Sequence, residues 1–386
     1  MTPFFSIIIP CYNVATFIEQ CLRSVLDQPF QDWECLAVVE TSRDQTEQIV
    51  RSFAEKDPRI QVFTQPKSGS PSAPRNTGLD HAGGKYVIFL DGDDYIFENS
   101  LEKMAAKITA CPNADLYPCA IFVQDAQKEN SNIRDNYRLE DPSEMTGPES
   151  ILINRYRIDE PCPMAQMTVC RRMFLEENRL RFIPGLKYED GEFHPRAFYR
   201  AKKVVPLHEV FYFYRMNPQS ITGEKNRNSH FLPHHANKMR RRFAFHATVS
   251  KEKGYDFRIS ECWANQWLSE LYGRWFFPGR IKNVPRTVRI ATLRSMFADG
   301  PDNFQLLVRF APLPKRLMSH AILLAVRHPS KCAALSDLLF RIFFFLSEIK
   351  KTGFSKKQSR SGSSNAPSVA TSASDGHNNE EKQDCL

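Results

Sequence analysis

Asp91, Asp93 and Asp94 stand within four residues of one another in FLDGDD, directly after an apolar run. Carboxylates so close repel, and they are tolerated most easily when a divalent cation or solvent compensates them. Magnesium or manganese is commonly held by one or two such carboxylates plus substrate phosphates, with water completing the shell. A solvated turn is the plainer reading, because Asp-Gly is a favoured turn pair. Other polar residues in like positions raise the first reading over the second. Pro10, Cys11, Tyr12 and Asn13 end one apolar run, and Glu40, Thr41, Ser42, Arg43 and Asp44 end another. Arg75 and Asn76 follow a third, in KSGSPSAPRNTGL, where a helix N-terminus could face an anion. Taken singly, Asn13 is a helix cap, Ser42 a loop residue and Arg75 a surface charge. Four such ends delivering polar groups together point to one cleft.

The elements that must position them follow from periodicity. FSIIIP, CLAVV, RIQVFTQ and KYVIFLDGDD read as strands, the first two being the continuous apolar runs of parallel strands buried on both faces. Between them TFIEQCLRSVLDQ, DQTEQIVRSFAEK and APRNTGLDHA read as helices, with Phe17, Cys21, Leu22 and Val25 on one face of the first. Such alternation implies right-handed crossovers and a parallel α/β sheet, with functional residues just past the C-terminal strand ends. Further on, SLEKMAAKITA reads as a helix, DLYPCAIFVQ as a strand and PESILINRYRI as a helix. KYEDGEFHPRAFYRAKKVVPL reads as a helix between an acidic start and a strand.

At 386 residues, 42% hydrophobic and 25% charged, the chain can bury a sizeable core, which excludes collagen-like, coiled-coil and wholly disordered classes. Its net charge is +8, and residues 278–351 hold 13 Lys+Arg against 4 Asp+Glu, so the positive balance resides there. Ten scattered cysteines form no CxxC pair and no zinc spacing, which fits a reduced cytosol. FFSIII is halted by Pro10 and lacks a basic flank, so it reads as a strand rather than a signal peptide. No stretch reaches the roughly 18 apolar residues of a membrane span. The expected location is cytoplasmic, at the inner face of the cell membrane.

SIIIPCYN, VVETSRDQT, SPSAPRNTGLDHAGGKYVIFLDGDD and KYEDGEFHPRAFYRAKKV, in that order over roughly residues 4–225, resemble a bacterial-type family 2 glycosyltransferase. The resemblance implies a GT-A fold: a Rossmann-like, mostly parallel sheet with flanking helices, followed by a helical region. It implies an inverting, metal-dependent hexosyltransferase of surface polysaccharide biosynthesis. Its donor would be a nucleotide sugar, UDP-linked, and its acceptor a hydroxyl of a glycan or lipid-linked glycan. By the same resemblance Asp91 and Asp93 hold Mg2+ or Mn2+ with the diphosphate. Pro10, Tyr12, Asn13, Glu40, Ser42, Arg75, Asn76 and Asp91 line the nucleotide-sugar pocket, and Asp190, beside Glu189, is the catalytic base. Asp94, Tyr214 and Arg215 stand near the site, the last two in a segment similar to the family's YYYR…SIT closure. Two departures stand out. Glu40 replaces one of the paired aspartates that usually contact the base, and Met164, Ala165 and Gln166 occupy a stretch where a tryptophan is common.

The expected organisation is a catalytic domain over 1–225, a basic helical region over 226–357 and a disordered Ser/Asn-rich tail over 358–386. Basic amphipathic segments within 278–351, including Phe343, Phe344 and Phe345 before Lys350 and Lys351, suggest peripheral membrane contact. Helices packed on the catalytic domain, their Lys and Arg stems covering apolar surface, are the alternative. Nucleic acid is not expected as a partner, since no binding module is present. Two other functions stay open. One is a non-catalytic, membrane-attached nucleotide-sugar-binding protein. The other is a sugar nucleotidyltransferase, although PCYNVATF lacks the Gly-rich loop and basic residue such enzymes carry there.

Overall fold

The structure is a computed structural model that describes residues 2–125, 130–135, 137–154, 164–216, 227–275, 286–298 and 300–327. Residues 1–336 form one unit and 337–386 another. The second unit, with the tail over 358–386 and with Phe343, Phe344 and Phe345, lies outside the described residues.

The first four strands, β1 (Phe5–Cys11), β2 (Trp33–Glu40), β3 (Ile60–Gln65) and β4 (Tyr86–Phe89), pair in parallel in the order β3-β2-β1-β4. Their connections are α1 (Ile18–Leu26), α2 (Thr46–Ala54) and α3 (Ser72–His81). β1 and β2 are buried on both faces, while β3, at the sheet edge, is only partly covered. Alternate residues of β1 serve different cores: Ile7 and Ile9 join the cluster with Cys21, Leu22 and Val25 of α1, and Ile8 joins Leu79 of α3 on the other face. α3 comes unusually close to β1 at Gly78, where an added Cβ would overlap Ile8 Cγ2. Glycine there lets α3, which carries Arg75, lie down on the sheet.

The chain then adds β5 (Tyr95–Ile96) and α4 (Ser100–Ala110). The single strand expected over DLYPCAIFVQ is in fact two, β6 (Leu116–Pro118) and β7 (Ala120–Asp125), in different sheets. The Cys119 N–H keeps the register with Thr168–Arg171 by donating to the Met167 carbonyl at 2.8 Å, and from Ala120, whose N–H donates to the Glu209 carbonyl at 2.9 Å, the chain pairs with Val210–Arg215 instead. β8 (Asn130–Arg134), α5 (Gly147–Asn154), β9 (Thr168–Arg171), α6 (Arg172–Glu177), α7 (Asp190–Arg200) and β10 (Val210–Arg215) follow. β9, not expected from the sequence, runs antiparallel between β4 and β6 and completes the order β3-β2-β1-β4-β9-β6. The strand expected after α7 is reduced to isolated bridges at Val204, with the Val205 and Leu207 N–H groups still reaching the Leu116 and Pro118 carbonyls at 3.0 and 2.8 Å. β10 takes its place in a second sheet, ordered β5-β10-β7-β8. The fold is thus GT-A-like, a mostly parallel sheet with helices on both faces.

Beyond it lie α8 (Arg227–Val249), α9 (Phe257–Trp275), α10 (Arg286–Met296), α11 (Asp302–Val308) and α12 (Leu313–Arg327). No helix among the described residues is long and apolar enough to cross a membrane. The described cysteines are all free, and all but Cys111 are buried, as small hydrophobes are.

Candidate active site

Because β1 to β4 are parallel, their C-terminal ends share one sheet edge, and the loops there interlock. Asn13, in the left-handed region at φ 51°, accepts from the Arg43 N–H at 2.9 Å and gives its own N–H to Ser42 Oγ at 3.1 Å. Ser42 Oγ in turn donates to the Glu40 carbonyl at 2.9 Å. Tyr12 accepts from Lys67 Nζ at 2.6 Å, and that ammonium lies 4.4 Å from the centre of the Tyr12 ring. Pro10, half-buried, closes the same strand end and puts its carbonyl 3.2 Å from where a Gly92 side chain would begin. Glu40 is buried, and its Oε1 accepts from the Ser68 N–H at 2.8 Å and from Gln65 Nε2 at 3.3 Å. The longer side chain thereby braces the loop after β3.

Arg75 is the centre of the arrangement. Its guanidinium, 1% exposed, holds Asp91 Oδ1 at 2.8 Å through Nη2, Glu189 Oε1 at 2.6 Å and Asp190 Oδ1 at 3.4 Å through Nη1. Burial works against the Arg75 charge, but three carboxylates outweigh it and hold its pKa above the ordinary value. Arg75, expected in the nucleotide-sugar pocket with a surface charge as the plain alternative, is thus a buried counter-ion, which sets that alternative aside. Asn76, next on α3, spends its amide on both sides of the Phe182 backbone at 2.8 Å, so it clasps the segment before α7 instead of facing the cleft.

The two carboxylates at the start of α7 differ in access. The Glu189 side chain is 5% exposed and the Asp190 side chain 24%. Burial pushes both acids above the usual carboxylate range, with Arg75 opposing the shift. Asp190 also accepts from the Ala165 N–H at 3.3 Å. An accessible carboxylate of raised basicity can take a proton from a hydroxyl, whereas the sealed Glu189 can only support it.

Within DGDD the three aspartates separate. Asp91 has one oxygen on Arg75 and the other on Gln166 Nε2. Asp94 is buried, accepts from Tyr212 OH at 2.6 Å and from the Arg215 N–H at 2.7 Å, and is pushed to a higher pKa by that burial and by Asp93 and Asp91. It ties the turn to β10 and is not placed as a metal donor. Tyr214 is half-buried against the sheet core. The Arg215 guanidinium reaches Gln20 Oε1 at 2.6 Å and lies over Phe17, on the α1 side. No group of three or more His, Cys, Asp or Glu among the described residues could enclose a metal by itself. The donors at hand, Asp91 and Asp93 flanking Gly92, are hard oxygens, which suit Mg2+ or Mn2+ completed by phosphate and water. A side chain at Gly92 would begin 3.1 Å from Val14 Cγ2 and 3.2 Å from the Pro10 carbonyl, so glycine lets this turn sit close against the end of β1.

Gln166 and Tyr212, which hold Asp91 and Asp94, carry no signal in the sequence that marks them as site residues. Gln166 comes nearest, since it falls in the stretch that departs from the expected tryptophan.

The model of glycosyl transferase family 2 matches residues 6–179. The uncharacterized glycosyltransferase EpsJ of Bacillus subtilis strain 168 is 33% identical over 235 residues, 58% of this chain and 64% of EpsJ. The poly(ribitol-phosphate) beta-N-acetylglucosaminyltransferase TarS of Staphylococcus aureus strain Mu50 is 30% identical over 213 residues, 54% of this chain and 35% of TarS. The chain thus spans less than two thirds of the length of these relatives. Among solved structures, S. aureus TarS 1–349 in complex with UDP superimposes with TM-score 0.64 at 22% identity, over 83% of this chain and 87% of that one. The same fragment with UDP-GlcNAc gives 0.62 at 20% identity, over 84% and 92%. The likeness in fold therefore runs past residue 179 into the helices beyond it.

Proposed function

We propose, from the match of residues 6–179 to the family 2 glycosyltransferase model, that the chain moves a sugar from a nucleotide sugar to a hydroxyl of a glycan or lipid-linked acceptor. One observation carries the reading: Asp91, from the end of β4, and Asp190, from the start of α7, meet on a single buried arginine at the open edge of the sheet. The catalytic part is read as residues 1–225, with the helices described between 227 and 327 as its companion; the rest of the expected 226–357 region lies outside the described residues. A UDP-sugar is the favoured donor, supported by the UDP and UDP-GlcNAc complexes of the TarS fragment.

In this mechanism the nucleotide lies across the ends of β1 and β2, against Tyr12, Asn13 and Ser42. Since Glu40 is turned onto the Ser68 N–H, the base meets the loop it braces, with Lys67 beside Tyr12. Asp93, together with Asp91, would hold the divalent cation, which when bound neutralises charge building on the diphosphate. Asp190 accepts the proton of the attacking hydroxyl, and Arg75 keeps its carboxylate oriented from behind. A single displacement inverts the anomeric centre.

The test is turnover of a panel of UDP-, GDP- and dTDP-sugars by the purified chain, with and without divalent metal. Asp93→Asn should remove metal-dependent donor binding and lower turnover on the order of 100-fold, with the thermal midpoint unchanged. Binding without turnover in the native chain would instead indicate a donor-binding protein, and unchanged activity in the variant would refute the metal assignment.

Peripheral membrane contact through 278–351 belongs to the same reading. Among the described residues of that stretch, α12 exposes Leu313 and Leu317, at 65% and 64%, beside Lys315 and Arg316. Co-sedimentation with anionic liposomes should weaken with salt, because screening sets in over about 8–10 Å. A chain that ignores such liposomes at low salt has no membrane contact here.

A further inference from the structure

Lys238 and Arg242 lie one turn apart on α8, and both are buried. Glu270 of α9 accepts from Lys238 Nζ and from Arg242 Nη1, each at 2.6 Å, and lies 3.4 Å from His235 Nε2. A lysine and an arginine thus share the Glu270 carboxylate. On their far side they meet the first turn of α7. Arg242 Nε donates to the Gly191 carbonyl. A Cβ built on Gly191 would stand 2.6 Å from Arg242 Nη2 and 3.2 Å from Lys238 Nζ, so glycine at this position makes room for both.

Gly191 directly follows Asp190, and the opposite side of that turn carries the reverse imbalance. There the Arg75 guanidinium faces the carboxyl groups of Asp91, Glu189 and Asp190, more acid than one cation can balance. The Lys238 and Arg242 cations, both buried, reduce that imbalance. Buried charges are tolerated when they are paired and hydrogen-bonded, so each cluster relieves the other. The Lys238 charge also favours the ionised form of Asp190.

We propose that α8 is a wall of the active centre and that Lys238 and Arg242 are positioning residues for Asp190. Arg242 fixes the backbone of the first α7 turn, and Lys238 supplies the counter-charge behind the carboxylate. The inference rests on Asp190 as the base and adds that the helical region after 226 is needed for turnover itself.

The full-length chain is compared with Lys238→Met, Lys238→Arg and Arg242→Lys, following donor kinetics and amide hydrogen exchange over residues 189–196. Lys238→Met should lower kcat on the order of tenfold or more, as misplacement of a catalytic group does, with the donor KM nearly unchanged. Lys238→Arg, which keeps the charge, should recover most of it. Arg242→Lys loses the bond to Gly191 and should speed exchange in the first α7 turn while β1 to β4 stay protected. Full kcat in Lys238→Met, or unchanged α7 exchange in Arg242→Lys, overturns the proposal. If Lys238→Met does not fold, Lys238→Arg and Arg242→Lys decide, since each keeps a cation. A native chain that turns over no donor removes the base reading and the proposed function, and the exchange at α7 still tells whether α8 holds that turn.

Discussion

Asp190→Asn should leave donor affinity within about twofold and lower turnover by about 100-fold or more, the usual range for loss of a general base. The amide keeps the shape and the Ala165 N–H can still find its oxygen, so the fold should hold. What is lost is the capacity to accept a proton. Turnover by the native chain should also show an acid limb set by this group. Burial raises the Asp190 pKa, and only the ionised form works as a base. Turnover is therefore full above the raised pKa and falls as pH drops through it, at a pH above the ~3.9 of an unperturbed aspartate. In Asp190→Asn the remaining activity should lack that limb. Equal collapse of donor affinity and turnover would make Asp190 a binding residue.

The largest effect on stability is expected from Arg75→Met. The side chain volume is roughly kept, but Asp91, Glu189 and Asp190 lose the charge that joins them. Removing one partner from a buried charge network typically costs about 3–5 kcal/mol, because the remaining charges stay desolvated. Urea unfolding should show this as a lower midpoint with little change in slope. The loss has a pH signature whose sign can be worked out. Without Arg75 the native carboxylates bind protons more readily than they do in the unfolded chain, so ν for the native state exceeds that of the unfolded state. Stability then falls as pH rises above the ordinary carboxylate range and recovers on acidification. Arg75→Lys should rescue little, since one ammonium cannot present two separate nitrogens to carboxylates on opposite sides. A variant as stable as the native chain at neutral pH would show that Arg75 is not the counter-ion of this site.

These two residues also mark how far the sequence can be read. The Asp91 and Asp190 motifs are visible because each is a local pattern: carboxylates at a strand end, or a carboxylate pair opening a helix. The link between them is not. Arg75 is 114 positions from Glu189 and 16 from Asp91, and nothing in APRNTGL marks its arginine as buried. Asp94 looks like a companion of Asp91 and Asp93, yet the next strand pairing turns it onto Tyr212 and Arg215. Glu40 stands out as a departure, but that its carboxylate caps the Ser68 N–H depends on where the loop after β3 lies.

What the sequence determined by itself is the framework. Parallel strands buried on both faces must be continuous apolar runs, and the helices covering them must carry a 3.6-residue stripe. Those are local requirements, so β1 to β4 and α1 to α4 can be read from neighbouring residues, and the cleft follows from their parallel order. Tertiary structure alone decided which polar side chains turn inward. β9 wedges between β4 and β6, bringing Ala165 and Gln166 to Asp190 and Asp91, and α8 reaches back to Gly191 from about fifty residues further along the chain. The reason is energetic: a buried charge needs a partner from wherever packing can supply one, and that choice leaves no period in the sequence.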